Sequence, residues 1–212
     1  MLSQIINKSK IPPGITHVAG SPNSGTTTLL YQLCKGIKNE QKVVIFDCEM
    51  SFSAQRLQEI ILNTKISLQD IYVIQIVDKK QQIKILMKLH KFLKNKKYSF
   101  IAINGITDHF RFSNKTRSER YTHKILALQM AYLKKLSKKQ NLPILITNQV
   151  SIFRDDEQQK IRPIANAVIS NYSDRTIIFQ YINKKLWKAK HKDEELYYSL
   201  SSNGIEEIRG SL

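Results

Sequence analysis

One short segment of the sequence has the residue types and spacing of a phosphate-binding turn. Its residues are Gly20, Ser21, Pro22, Asn23, Ser24, Gly25, Thr26 and Thr27, and Thr28 continues into a predicted helix. An apolar run that is typical of a buried strand, Ile15–Ala19, precedes the turn. In such a strand–turn–helix, backbone N–H groups and the positive end of the helix dipole attract phosphates. The segment therefore predicts a nucleotide-binding P-loop.

The predicted P-loop departs from the usual pattern at the position before Thr27. A P-loop carries a lysine there, which reaches the β- and γ-phosphates, whereas this sequence has Thr26. A hydrogen bond from a charged group contributes about 1.5–3 kcal/mol, so phosphate binding is expected to be weaker. Thr27 keeps the hydroxyl that contacts Mg²⁺. Taken alone, the turn fits a nucleotide site and a ligand-free strand-to-helix turn equally well.

A second departure lies at the end of another apolar run, Phe100–Asn104. In P-loop ATPases the corresponding strand closes with an aspartate that acts on Mg²⁺ and its waters. Asn104 occupies that position here, and a neutral amide is a poorer partner than a carboxylate for a hard cation. Because both departures weaken the same Mg²⁺–phosphate centre, the sequence predicts that ATP hydrolysis is weak or lost.

Short apolar runs alternate with stretches of helical periodicity, which predicts an α/β fold with a mostly parallel sheet flanked by helices. The predicted strands are 15–19, 43–47, 71–76, 100–104 and 144–148, and the predicted helices are 27–35, 54–63, 80–93 and 122–139. The helix over 80–93 has an apolar stripe at Ile83, Leu86, Met87, His90 and Leu93. Strands at 176–182, 186–189 and 195–200 predict an antiparallel extension at the sheet edge. Because no linker or repeat interrupts the pattern, we expect residues 1–212 to form one domain.

The composition indicates which partners and compartment to expect. The formal net charge of +17 favours a polyanionic partner such as nucleic acid, although an ordinary solvated basic surface would give the same excess. Cys34 and Cys48 are too few for a disulfide framework. The sequence has no apolar run of the length that spans a bilayer and no secretory signal. We therefore expect a soluble, cytoplasmic protein without membrane association.

Four segments resemble the RecA/RadA recombinase family, and most closely its short archaeal RadB-type paralogues. They are 42–57 (KVVIFDCEMSFSAQRL), 104–111 (NGITDHFR), 143–150 (PILITNQV) and 162–164 (RPI). The segments occur in the order and at the spacing of the family, after the P-loop. The resemblance implies a RecA-like P-loop fold with ATP and Mg²⁺ as ligands, and degenerate versions of both nucleotide-binding motifs in this chain.

The resemblance also implies roles for individual residues near the nucleotide. Glu49 falls on the catalytic carboxylate that activates the attacking water, and Gln149 on the glutamine that senses the γ-phosphate. Arg56 falls on a residue that packs near the nucleotide base, although a helical arginine is equally typical of a surface salt bridge. Thr27 and Asn104 would contact the metal ion, the latter weakly.

Two DNA-binding loops are implied after the fourth and fifth core strands. The first loop, 111–120, carries Arg111, Lys115, Arg117 and Arg120, and the second, 151–162, carries Arg154, Lys160 and Arg162. Cations on loops suit sequence-independent contacts with phosphates, which makes binding dependent on salt. The second loop is the weaker candidate because Asp155, Asp156 and Glu157 offset its charge.

A further basic run surrounds Trp187 and comprises Lys184, Lys185, Lys188, Lys190 and Lys192. Cations beside an aromatic side chain suit single-stranded DNA, which they bind through phosphate attraction and base stacking. Lysines on an edge strand also prevent aggregation. The sequence leaves both interpretations open.

These features together favour an accessory protein of DNA repair and recombination that binds single-stranded DNA and a nucleotide. We expect it to assist a RadA-type recombinase or another RecA-fold paralogue. An active DNA-dependent ATPase and a non-catalytic RecA-fold scaffold subunit are the alternatives. RadA-type proteins carry an additional N-terminal domain and a polymerisation linker. Because the first strand is predicted to begin by Ile15, we do not expect this chain to form a filament of its own.

Overall fold

The computed structural model describes residues 1–38, 40–94, 97–110, 116–155 and 158–208, without the side chains of 116–119, 152–155 and 158–160. The helices are α1 (Leu2–Ile6), α2 (Thr26–Leu33), α3 (Ala54–Ile61), α4 (Lys79–Met87), α5 (Leu89–Phe92), α6 (Thr116–Gln140) and α7 (Asn166–Tyr172). The strands are β1 (Gly14–Gly20), β2 (Lys42–Asp47), β3 (Ile71–Gln75), β4 (Tyr98–Asn104), β5 (Pro143–Asp155), β6 (Gln158–Pro163), β7 (Arg175–Asn183), β8 (Leu186–His191), β9 (Glu194–Ser201) and β10 (Gly204–Glu207).

The described strands form one sheet in the order β10-β9-β8-β7-β1-β5-β4-β2-β3, and β6 pairs with the extended end of β5. Every pairing from β7 across to β3 is parallel. The strands beyond β7 are antiparallel to their neighbours. The predicted α/β fold, with a mostly parallel sheet and an antiparallel extension at the carboxyl-terminal edge, is therefore confirmed.

Helices cover both faces of the sheet because alternate residues of each buried strand point to opposite sides. On β4, Ala102 belongs to the apolar layer beneath α2 and α3, whereas Ile101 and Ile103 belong to the layer beneath α6. The layer under α2 includes Leu29, whose side chain is completely buried. Each such side chain contributes about 1.5–3 kcal/mol by leaving water. The strands thus form a rigid base for the loops at their carboxyl ends.

The helix predicted over 80–93 is instead two helices, α4 and α5, separated at Lys88. Part of the predicted apolar stripe was wrong, since Met87 and His90 are exposed. Gln82 and Leu89 are buried in their place, and the Gln82 Nε2 group donates a hydrogen bond to the Ile106 carbonyl. A buried glutamine with a satisfied amide does not register in a pattern of apolar residues.

The stretch 151–162 was predicted as a loop but pairs as a β-hairpin. Strand β5 continues beyond the sheet to Asp155, and β6 returns beside it with Ser151 opposite Arg162. The mostly polar residues of this stretch hide its strand character in the sequence, because they lack the apolar alternation of a strand that packs on a core. Among the described helices, none is both long enough and apolar enough to span a membrane.

Candidate nucleotide site and nucleic-acid interface

The three segments that the sequence analysis assigned to one site lie on neighbouring parallel strands. Gly20, which opens the P-loop, is the pairing partner of Gln149 in the β1–β5 ladder. Asn104 at the end of β4 pairs with Asp47 at the end of β2, and its Oδ1 atom accepts a hydrogen bond of 2.8 Å from the Thr147 hydroxyl of β5. All of these residues lie at the carboxyl edge of the sheet, which is where ligands of such open α/β sheets bind.

The P-loop has the backbone shape that directs N–H groups toward an anion. Asn23 has a φ of 63° and Gly25 a φ of 91°, both in the left-handed region. Helix α2 begins immediately afterwards, and its first hydrogen bond, 2.8 Å long, runs from the Leu29 N–H to the Gly25 carbonyl. The N–H groups that precede Leu29 in the first turn have no partner within the helix, so they are available to phosphate.

The carboxyl-terminal strands hold the P-loop in place from behind. The Tyr198 hydroxyl on β9 donates a hydrogen bond of 2.6 Å to the Ser24 carbonyl. Burial raises the pKa of Tyr198, so this hydroxyl stays a neutral donor. A β-carbon at Gly25 would lie 2.8 Å from the Leu200 side chain, and one at Gly20 would collide with the Ser24 hydroxyl. These contacts require glycine at both positions.

The Ser24 side chain is the polar group within the loop that lacks a partner. Its hydroxyl is buried, and no group among the described residues forms a hydrogen bond with it. A buried hydroxyl without a partner costs about 1–3 kcal/mol, which a phosphate oxygen would offset by accepting a hydrogen bond. The loop geometry and this hydroxyl therefore fit a phosphate group.

A cluster of carboxylates surrounds Asn104 on the other side of the site. The Asn104 Nδ2 atom lies 3.0 Å from Asp47 Oδ1, 3.0 Å from the Ser51 hydroxyl and 3.4 Å from Glu49 Oε2. The second oxygen of Asp47 accepts a hydrogen bond of 2.9 Å from the Phe52 N–H. Asp47 and Asn104 are both buried. The amide therefore ties two acidic side chains together.

The hydrogen-bond network fixes the orientation of the Asn104 amide. The Gly105 N–H donates to the Thr147 hydroxyl oxygen at 2.8 Å, so the Thr147 proton is directed to Asn104 Oδ1. The Nδ2 hydrogens must then point toward Asp47 and Ser51. Gly105 has a φ of 76°, and a β-carbon there would collide with the Glu49 side chain. The close approach of β4 to Glu49 thus depends on this glycine.

This cluster does not fit Mg²⁺, although the P-loop fits phosphate. Mg²⁺ requires a near-octahedral set of oxygen ligands. At this position Asn104 presents amide hydrogens, which a dication repels, and its one oxygen already accepts a hydrogen bond from the Thr147 hydroxyl. The described residues contain no group of three His, Cys, Asp or Glu side chains that is arranged to hold a metal ion. Thr27, whose hydroxyl is the group that contacts Mg²⁺ in a P-loop, is half-buried in the first turn of α2.

The Arg56 side chain is engaged by other groups of the protein. Its guanidinium donates to the carbonyls of Ser201 and Ser202 in the turn between β9 and β10, and forms an ion pair of 2.9 Å with Glu59. The side chain therefore joins α3 to the carboxyl-terminal hairpin. The salt bridge that the sequence left open as an alternative is present.

The predicted DNA-contacting cations divide into three groups. Arg111 and Lys115 lie outside the described residues, and Arg117, Arg154 and Lys160 are described by their backbone only. Arg120 and Arg162 are exposed. Arg120 lies near the start of α6, which follows β4, and Arg162 lies on β6, which is paired with the extension of β5. Both therefore belong to segments that leave the sheet at the edge that carries the P-loop.

The basic run around Trp187 is divided between the two faces of β8. Trp187 is partly buried and packs at 6.3 Å, ring centre to ring centre, against Tyr198 in the layer beneath α2. Lys188 and Lys190 alternate with it and form ion pairs with Glu195 on the other face. Lys188 and Lys190 therefore do not share a stacking surface with the indole, and Lys184, Lys185 and Lys192 lie in the turns that flank β8. The alternation of a strand, with a period of two residues, is the signal that would have revealed this from the sequence.

Sequence reasoning missed several residues that shape the site. Asp47 and Ser51 accept hydrogen bonds from Asn104, Thr147 fixes the orientation of the amide, and Tyr198 holds the loop. The apolar run of β2 is followed by Asp47 and, two residues later, by Glu49. These two acidic residues at the end of a buried strand were a visible signal that Asp47 belongs to the site. Tyr198 is distant in sequence from Ser24 and carries no local signal.

A ten-stranded RecA-like sheet with a P-loop at the carboxyl edge of β1 defines a protein of the RecA-type P-loop class. The family model named Rad51 matches residues 10–208, and the chain therefore belongs to the Rad51 family. The protein named "DNA repair and recombination protein RadB" of Thermococcus sibiricus is 29% identical to it, over 92% of this chain and 86% of that relative. A protein of the same name from Methanococcus maripaludis is 28% identical, over 100% of this chain and 99% of the relative. The resemblance inferred from the sequence is thereby confirmed.

Proposed function

We propose that this chain is a RadB-like recombinase paralogue that acts in DNA repair and recombination by binding single-stranded DNA. The observation that carries the proposal is the position of two exposed cations, Arg120 and Arg162, on segments that leave the sheet at the P-loop edge. The formal net charge of +17 supports a polyanionic ligand. Its curated relatives, named for DNA repair and recombination, support the biological role.

A nucleotide at the P-loop is the second part of the proposal. Support comes from the left-handed Asn23 and Gly25, the open first turn of α2 and the buried Ser24 hydroxyl. We expect hydrolysis to be weak or absent, because Thr26 replaces the lysine and Asn104 replaces the aspartate. Strand β5 runs without a break from Gln149, beside the P-loop, into the hairpin that carries Arg162. This continuity supports a link between nucleotide and DNA binding.

An anisotropy titration with fluorescent single-stranded DNA at several salt concentrations tests DNA binding. The native chain is expected to bind at low salt, with log affinity falling linearly against log salt concentration. Arg120→Ala and Arg162→Ala should each weaken binding and lower that slope by about 0.7.

The matched control is Lys139→Ala, which removes an exposed cation from the far end of α6. Arg120 and Lys139 are separated along the helix by about 28 Å, at 1.5 Å per residue. Lys139→Ala should leave the affinity and the slope unchanged. Absence of DNA binding by the native chain at low salt would refute this part of the proposal, and so would equal effects of all three substitutions.

A RadA-type recombinase, or another RecA-fold paralogue, is the protein partner that we propose. The support is the family membership of the chain together with a P-loop centre that lacks the usual lysine and aspartate. A purified RadA-type recombinase should exchange DNA strands faster when this chain is added, and the chain alone should not exchange strands. An unchanged rate would contradict the partner.

A slow DNA-dependent ATPase is the second candidate. It is favoured by the positions of the two residues that match the family's catalytic residues. Glu49 Oε2 lies 3.4 Å from Asn104 Nδ2, and Gln149 pairs with Gly20 of the P-loop. Both residues are therefore at the edge of the sheet that carries the P-loop. Phosphate release that depends on DNA and disappears in Glu49→Gln would support this candidate over the first.

A further inference from the structure

We propose that the P-loop site binds nucleoside diphosphates in preference to triphosphates, and that it does so without Mg²⁺. The inference rests on the proposed function in taking nucleotide binding at Gly20–Thr27 as given. This preference is the reverse of the one expected of a P-loop that cleaves ATP, which selects the triphosphate together with Mg²⁺.

The half of the site that would hold the first two phosphates is intact. The first turn of α2 presents its N–H groups, and the left-handed Asn23 and Gly25 direct the preceding loop around the same point. Ser24 is 1% exposed, its hydroxyl has no partner among the described residues, and that oxygen lies so close to Gly20 that a β-carbon there would collide with it. These groups are neutral donors, and they suffice for a diphosphate.

The P-loop itself brings no positive charge to the half of the site that a third phosphate would enter. The lysine that normally contacts the β- and γ-phosphates is Thr26 here, and none of the residues from Gly20 to Thr28 is cationic. The acidic side chains of Asp47, at the end of β2, and Glu49, just after it, lie beside Asn104. A γ-phosphate would therefore bring more negative charge toward two carboxylates, with a neutral amide as the intervening group.

Mg²⁺ could lie directly beside Asn104 only by breaking the hydrogen bonds of that amide, which leaves Thr27 and the phosphates themselves as its ligands. The hydrogens on Asn104 Nδ2 point at Asp47 Oδ1 and the Ser51 hydroxyl, and both oxygens lie 3.0 Å from the nitrogen. The Asn104 Oδ1 atom accepts a hydrogen bond from Thr147. In effect the amide occupies the place between the carboxylates that a cation would take. The site therefore lacks the lysine, and β4 offers Mg²⁺ an amide in place of a carboxylate; both differences weaken the selection of triphosphates.

Isothermal titration calorimetry of the full chain with ADP and with ATP, each in EDTA and in excess Mg²⁺, tests the inference. ADP is expected to bind at least about tenfold more tightly than ATP in EDTA, since the γ-phosphate of ATP adds negative charge beside Asp47 and Glu49 and gains no cationic contact from the P-loop in return. Mg²⁺ should change the ADP affinity less than about twofold. Tighter binding of ATP than ADP, or ADP binding that requires Mg²⁺, overturns the inference and leaves nucleotide binding intact. If neither nucleotide binds, nucleotide binding itself is refuted.

Two substitutions test the cause of the preference. Thr26→Lys should shift the ratio of ADP to ATP affinity about tenfold or more toward ATP, because it restores the missing cation. Glu49→Gln, which is isosteric, should shift the ratio in the same direction by removing one negative charge. Gln58→Lys adds an equal charge on the exposed side of α3 and should leave the ratio unchanged. An unchanged ratio in both Thr26→Lys and Glu49→Gln would overturn the proposed cause.

Discussion

Replacing Asn104 with aspartate should destabilise the protein, although aspartate is the residue that an ATP-hydrolysing relative would carry here. The Asn104 amide nitrogen lies 3.0 Å from one Asp47 oxygen and 3.4 Å from one Glu49 oxygen. In Asn104→Asp a carboxylate faces two others. Two like charges about 4 Å apart repel by about 4 kcal/mol at an effective dielectric constant of 20.

Protonation of the new carboxyl group limits that cost. Holding a carboxyl protonated costs about 1.4 kcal/mol for each pH unit above its ordinary pKa of about 4. The free energy of unfolding should therefore fall by up to about 4 kcal/mol at pH 7 and by about 1.5 kcal/mol at pH 5. The sign follows because a raised pKa in the folded state makes the folded protein bind more protons, so its stability decreases as the pH rises.

Urea denaturation in EDTA at pH 5 and pH 7 measures both values. Excess Mg²⁺ should recover part of the loss in Asn104→Asp but not change the native chain, since three carboxylates form a better cation site than two carboxylates and an amide. The double substitution Asp47→Asn, Asn104→Asp returns an amide to the pair and should restore much of the stability. An Asn104→Asp variant as stable as the native chain in EDTA at pH 7 would refute the interpretation of this cluster.

Two further predictions concern groups that support the site. Burial lowers the pKa of His17 on β1 to about 3, and neither ring nitrogen has a partner among the described residues. Because the unfolded chain then binds the proton more readily, the free energy of unfolding should fall as the pH falls from about 6.5 toward 3, by about 2 kcal/mol at pH 5. His17→Leu should lose this pH dependence. Urea midpoints of the two proteins that change in parallel across that range would contradict the prediction. Tyr198→Phe leaves the Ser24 carbonyl without its donor and should lower the free energy of unfolding by about 1–3 kcal/mol and weaken ADP binding, whereas Tyr197→Phe on the opposite face of β9 should do neither.

The sequence predicted those parts of the fold that have a local cause. Strands β1 and β4 are apolar runs that end in a glycine turn or a polar residue, so their position and the convergence of Gly20, Asn104 and Gln149 at one edge followed from the parallel order. The hairpin of β5 and β6 was missed because its sequence is mostly polar. The short β10 was missed because its four residues, Gly204–Glu207, are too few to show an apolar alternation, although Ile205 belongs to the core.

The chemistry of the site was less predictable than its location. That Asn104 replaces an aspartate is visible in the sequence, but the direction of its amide depends on Thr147 from a different strand. The partners of Arg56 lie in the turn at Ser201 and Ser202, which folds back from the other end of the chain. Such contacts are set by tertiary packing, and no spacing in the sequence encodes them.

The nucleotide centre of this Rad51-family chain is expected to retain phosphate binding and to have lost the charges needed for hydrolysis. This expectation is tested by phosphate release from ATP in Mg²⁺, with and without single-stranded DNA, measured on the native chain beside Glu49→Gln and beside the double variant Thr26→Lys, Asn104→Asp. The native chain should release phosphate no faster than Glu49→Gln, with or without DNA. DNA-stimulated release by the native chain that disappears in Glu49→Gln and equals that of the double variant would contradict it.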